Sequence, residues 1–122
     1  MPLTDQELLF FFTRLKALPV YEALRREALA LGGTQLRVQK TQITFGSPRG
    51  YCVVAHPPAR RMSDEAILCC LSLGYPLNHS LCQHNVQVGL HRFTCRLLLK
   101  SVEDVNAILP FLKEAYEGFG SQ

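Results

Sequence analysis

The 122-residue chain is 48% hydrophobic and 19% charged, with 13 Lys and Arg against 10 Asp and Glu. That is enough to bury one domain's core, and it excludes a disordered or strongly acidic chain. No run approaches the roughly 20 apolar residues of a membrane span, the N-terminus lacks the pattern of a secretory leader, and five cysteines, mostly in apolar runs, argue against a disulfide framework. The expectation is a single cytoplasmic domain over residues 1–122, with no membrane partner.

Thr4-Asp5-Gln6-Glu7 has the form of a capping box and predicts a helix from about Asp5 to Leu18. Pro19 stands where a second helix would begin, and Val20, Ala23, Leu24, Ala28 and Leu31 recur at helical spacing until Gly32-Gly33. The two are separate helices or one helix bent at Pro19. From Thr34 the period falls to two, which predicts strands at about 35–40, 41–46, 50–56, 65–73 and 90–99. Leu36 and Val38 lie on one parity and Ile43 and Phe45 on the other, so a bulge or corner is expected near Lys40-Thr41, and the first two strands could be one bulged strand. Gly46-Ser47-Pro48-Arg49-Gly50 reads as a hairpin loop, and His56-Pro57-Pro58 as the stiff exit of a strand.

The segment Gly74 to Gly89 is the least regular, with Pro76, Asn78 and Asn85, and is expected to be a long surface connection. Ser101-Val102-Glu103-Asp104 is a second capping signature opening a helix to about Phe119, which Pro110 should kink. Helices, then strands, then a helix make an α+β pattern: a mostly antiparallel sheet of four to five strands with the helices on one face, a two-layer sandwich. The other face would be left to solvent or a partner.

Charge is regional. Residues 34–100 hold Arg37, Lys40, Arg49, Arg60, Arg61, Arg92, Arg96 and Lys100 against only Asp64 and Glu65, whereas residues 101–122 hold Lys113 against four acids. In the strand at 90–99, His91, Phe93, Cys95, Leu97 and Leu99 share one parity and Arg92, Thr94, Arg96 and Leu98 the other, so its outer face is basic. With Arg37, Lys40 and Gln42 it would form an anion-binding surface able to hold phosphates. Aromatics for base stacking are not evident on that parity.

Catalytic and metal signals are weaker. His79, Cys82 and His84 supply ligand types for a metal, with His91 and Cys95 downstream, but the spacing is not that of a standard zinc finger. No oxyanion hole or orienting acid accompanies Cys82 as a nucleophile. The Gly46 to Gly50 loop contains a proline and lacks the Gly-Lys-Ser/Thr ending of a phosphate loop, and Asp64-Glu65 beside Arg60-Arg61 reads as a solvated cluster. No catalytic residue and no cofactor is assigned, and an enzyme is the less favoured reading.

Leu18-Pro19-Val20-Tyr21-Glu22-Ala23-Leu24, Val38-Gln39-Lys40-Thr41-Gln42-Ile43-Thr44-Phe45, and His91-Arg92-Phe93 through Val102-Glu103-Asp104-Val105 to Leu112-Lys113-Glu114-Ala115-Tyr116 together resemble the domain-of-unknown-function family numbered 5655. The resemblance spans roughly residues 18–118, with 4–18 as an N-terminal helical extension. It implies a small α+β domain in a bacterial cytosol. Such domains occur alone or at the C-terminal end of larger proteins, some labelled predicted transport proteins and some carrying nuclease-like domains, which favours nucleic acid as the partner. It supplies no catalytic residues. Pro110 and the segment from Cys69 to His84 depart from the family pattern.

The leading expectation is a noncatalytic binding or accessory domain whose basic sheet face contacts nucleic acid or another anionic partner. Two others stand beside it. One is a self-association or protein-interaction module in which the same uncovered face or an edge strand pairs with another copy, suggested by the apolar strand Ile67-Leu68-Cys69-Cys70-Leu71. The other is a small-ligand or metal-binding protein using the Lys40 bulge together with the His79 to His84 loop.

Overall fold

The computed structural model describes residues 2–46, 49–58 and 64–120. Three helices, α1 (Asp5–Phe10), α2 (Leu18–Leu29) and α3 (Val102–Ala115), accompany six strands: β1 (Gln35–Val38), β2 (Ile43–Gly46), β3 (Gly50–Ala55), β4 (Ile67–Leu73), β5 (Cys82–Gly89) and β6 (Arg92–Leu99). All ladders are antiparallel, in the order β1-β2-β3-β4-β6-β5. The α+β class therefore holds, with six strands instead of four to five.

Both capping signatures form. Thr4 Oγ1 accepts from the Glu7 amide at 3.2 Å while Glu7 Oε1 accepts from the Thr4 amide at 2.9 Å, and Ser101 Oγ accepts from the Asp104 amide at 3.2 Å. The first helix is shorter than its pattern implies. It ends at Phe10, a single tight turn follows at Leu15–Ala17, and α2 starts at Leu18 with Pro19 in its first turn, so the chain has two helices and no bent one. Phe11, the C-cap of α1, is fully buried. Gly33, at φ 75°, then takes the left-handed conformation that carries the chain from α2 into β1.

The parity change around Lys40-Thr41 marks a reversal of the chain. Leu36 pairs with Phe45 and Val38 with Ile43, and the Gln39 amide donates to the Gln42 carbonyl at 2.8 Å. Residues directly opposite in an antiparallel ladder share a face, so an even-numbered pair in β1 meets an odd-numbered pair in β2. β1 and β2 are two strands joined by a tight turn, and the single bulged strand is ruled out. A bulge does occur further on: between Phe45 and Gly46 the register slips so that Tyr51 and Cys52 are both buried on the helix side. Tyr51 donates to the Ala28 carbonyl at 3.2 Å and lies 2.9 Å from Thr34 Oγ1. Burial pushes its phenol up to about 12.

One sheet face and the helices share a core. Ile43, Phe45, Cys52, Val54, Cys69, Leu71, Cys95 and Leu97 pack with Tyr21, Leu24, Ala28, Val105, Ile108 and Leu112. Pro110 is accommodated inside α3 on its solvent side, where the Asn106 carbonyl that loses its donor is also exposed. Below Ala115 the helix widens into one looser turn, Tyr116–Gly120. No helix of the described residues is long and apolar enough to cross a membrane.

The segment from Gly74 to Gly89 is only partly a connection, because its second half is β5. Two register shifts, at Cys82/His84 and Gln87/Gly89, break the alternation that would have revealed it. The apolar β4 lies between β3 and β6, and Ile67, Cys69, Leu71 and Leu73 are buried, so core packing accounts for these positions, while Leu68 and Cys70 lie half-buried on the other parity.

Candidate functional site

The sheet's other face holds one cross-strand row that runs through all six strands: Arg37, Thr44, Val53, Cys70, Arg96 and His84. Leu98, although buried, lies outside the core cluster that the helices share, as do Val53 and Cys70. Arg37, Arg96 and His84 are exposed. At about 4.8 Å per strand, four steps put Arg37 and Arg96 roughly 19 Å apart. Among the described residues no strand contains an Asp or Glu, so the cations on this face are not neutralised by their neighbours in the sheet.

Beside Arg96 and His84 the face is concave. A groove of about 440 Å³ is lined by Pro57, Pro58, Leu68, Gln83, His84, Arg96 and Leu98, an apolar floor with a cationic wall. Cys70, next to Arg96 in the row, is half-buried, and burial pushes its thiol up to about 11 despite the nearby guanidinium. The thiol therefore stays protonated beside the groove at neutral pH.

The other residues of the expected surface divide. Arg92 has the right parity, but its guanidinium is engaged, 5.4 Å from the Phe119 ring centroid and 3.4 Å from Ser72 Oγ. Gln42 is half-buried, and its amide donates to Gln39 Oε1 at 3.2 Å and Thr44 Oγ1 at 3.3 Å, which fixes it as a brace of the turn. Lys40 is exposed at the turn and lines a different pocket, of about 370 Å³, with Gln6, Leu9, Phe10, Thr13, Val38, Gln39 and His56. Arg60 and Arg61 lie outside the described residues.

In that second pocket His56 stacks on Phe10 with ring centroids 4.3 Å apart, and its Nε2 lies 2.8 Å from the Phe10 carbonyl. Nε2 is thus the donor, leaving Nδ1 as a buried acceptor without a partner among the described residues. Burial, aided by the charge of Arg14 and opposed by the Phe10 carbonyl, holds this imidazole below its ordinary value.

The combined pocket of the Lys40 turn and the His79 to His84 loop does not exist. Lys40 follows β1 and the loop leads into β5, which are the two opposite edges of the sheet. The three candidate ligands also diverge. His79 Nδ1 accepts from the Leu81 amide at 3.1 Å, with its ring edge-on to Phe111; Cys82 pairs with Leu97 of the inner face, and His84 with Arg96 of the outer one. Among the described residues no group of three His, Cys, Asp or Glu could hold a metal.

One polar cluster escaped the sequence reading. Glu7, fully buried, receives Arg25 Nε at 2.7 Å, Arg25 Nη2 at 3.1 Å and the Tyr21 hydroxyl, while Arg25 Nη2 also reaches the Pro2 carbonyl at 3.1 Å. The spacing of Tyr21 and Arg25 by one helical turn is the only signal of it in the sequence, where Glu7 stands as a capping residue.

The fold and its exposed row define the class: a small α+β domain whose antiparallel sheet is covered by helices on one side and carries cations on the other. Over residues 10–118 the chain matches the family model described as Domain of unknown function (DUF5655), and it belongs to that family. No curated protein and no solved structure shows significant similarity to it.

Proposed function

We propose that this domain is a noncatalytic binding module whose open sheet face docks nucleic acid through its phosphates. The observation that carries the reading is the row that aligns Arg37, Arg96 and His84 on a face whose strands contain no carboxylate. Arginine presents a planar fork of donors suited to phosphate oxygens, and a separation of roughly 19 Å lets two of them contact phosphates several nucleotides apart. The groove beside Arg96 gives the strand a place to lie, with Leu68 and Leu98 beneath it.

Because the row contains no Phe, Tyr or Trp, and His84 is its one ring, base stacking contributes little. Binding should then be insensitive to sequence and steeply dependent on salt, since its free energy comes from counterion release. Fluorescence anisotropy with short labelled DNA and RNA oligonucleotides at a series of salt concentrations tests this. Binding at low salt that weakens linearly on a log–log plot supports the reading, and no binding at low salt overturns it.

A further inference from the structure

Eight large hydrophobic side chains are exposed among the described residues, and half of them fall between positions 8 and 15: Leu8 at 41%, Leu9 at 74%, Phe12 at 70% and Leu15 at 57%. Scattered singly they would need no explanation, but here four of them fall within eight consecutive residues of α1 and the turn after it. Beside them lies the pocket of about 370 Å³, whose lining mixes Leu9, Phe10 and Val38 with Gln6, Gln39 and Lys40.

We infer that the α1 face is a self-association surface, in which Phe12 of one copy of this chain seats in the α1 pocket of a second copy. Three observations select a second copy as the occupant. First, knob and hole are on one surface: Phe12 is mostly exposed, while its neighbours Leu9 and Thr13 line the pocket. A two-fold axis beside α1 places each Phe12 at the other pocket, and the contact closes at two molecules. Second, the pocket has room for the ring, because its volume of about 370 Å³ exceeds the about 150 Å³ that holds a benzene. Leu9, Phe10 and Val38 offer it apolar walls, with the exposed Lys40 at the rim where an ammonium can lie over a ring face.

Third, the charges at the two ends are complementary. Asp5 opens α1 and Lys16 lies in the turn beyond Leu15, both exposed. In an antiparallel two-fold contact Asp5 of each copy lies beside Lys16 of the other. The central aromatic in a pocket, surrounded by aliphatic side chains and rimmed by opposite charges, is the arrangement that concentrates binding energy in protein interfaces. This surface lies apart from the cationic sheet face, so it stands or falls independently of nucleic-acid binding.

Sedimentation velocity over a wide range of protein concentration tests the proposal. The expected result is a species of twice the 13.7 kDa chain mass whose population grows with concentration. Leu9→Asp with Phe12→Asp should weaken dimerisation by more than about tenfold while leaving the circular-dichroism melt unchanged, since both side chains are solvent-exposed. Lys16→Glu alone should also weaken it, and adding Asp5→Lys should restore it. A monomer at all concentrations overturns the proposal, as does a dimer that survives the Leu9 and Phe12 changes. Lack of rescue by the charge swap overturns the antiparallel two-fold arrangement.

Discussion

Arg25 Nε and Glu7 Oε2 lie 2.7 Å apart in a buried pair that ties α1 to α2, and the carboxylate is completed by Tyr21 and the Thr4 amide. A buried ion pair is costly to create and costlier to break, because removing one partner strands the other charge. Arg25→Ala should destabilise the domain by about 3–5 kcal/mol, and Tyr21→Phe by about 1–3 kcal/mol, as measured by urea unfolding.

The same cluster sets an acid limit. Burial on its own would raise the Glu7 carboxyl, but Arg25, the Thr4 amide and the Tyr21 hydroxyl outweigh it and hold it below its ordinary value of 4.5. A carboxyl depressed in the folded state contributes stability that is complete above its unfolded value and lost as pH falls through the folded one. Unfolding free energy should therefore drop below about pH 4.5. Glu7→Gln should be less stable at neutral pH and lose less on acidification; equal slopes in the two proteins would contradict this.

His56 places a second pH dependence higher. Its imidazole is held below the ordinary 6.5, chiefly by burial, so the unfolded chain takes up the proton more readily than the folded one. Stability is complete above that value and declines as pH falls from there toward the folded value. His56→Phe should lower stability at neutral pH, because the Phe10 carbonyl loses its donor, yet flatten the slope just below pH 6.5. Chemical denaturation at closely spaced pH values separates the two effects.

The cysteines differ in reactivity in a way the fold dictates. Cys52 and Cys69 have sulfurs 3.6 Å apart inside the core, Cys95 is buried with them, and Cys70 is half-buried with its thiol pushed up to about 11. Native-state maleimide labelling read by peptide mass should modify Cys82, at the edge strand, first and Cys70 slowly. The three core thiols should react only on unfolding. Rapid labelling of Cys69 in the folded protein would contradict the packing described.

Arg92 and Arg96 share a strand face but should behave differently. Arg96→Glu removes an exposed cation from the open row and should leave stability within about 0.5 kcal/mol. Arg92→Glu also gives up the contact with Phe119 and the bond to Ser72, so its melting temperature should fall measurably. Thermal melts of the two single variants make the comparison.

Much of this architecture is legible in the sequence wherever one local rule suffices. Thr4 with Glu7, and Ser101 with Asp104, announce helix starts because a cap is a short-range hydrogen bond. The alternation of Arg92 to Leu99 assigns Arg96 to the outer face because the pleat has a period of two. Leu36, Val38, Ile43 and Phe45 announce a break near Lys40 without saying that the chain reverses there. That distinction depends on which residues pair. The strand Cys82–Gly89 stays hidden because it is a polar edge strand with two register shifts, and edges are not required to be apolar. The alignment of Arg37 with Arg96 and His84 is the product of five successive ladders, and the meeting of Glu7 with Arg25 of helix packing. Neither is written in any short stretch of chain.

The central claim is that Arg37 and Arg96 on the open sheet face hold phosphates. It is tested most directly by measuring the salt dependence of oligonucleotide binding for the native domain and for Arg37→Glu with Arg96→Glu. The expected result is weaker binding by the variant and a log–log salt slope shallower by about two, one for each lost phosphate contact, with an unchanged melt. Equal affinity and equal slope for the two proteins would contradict it.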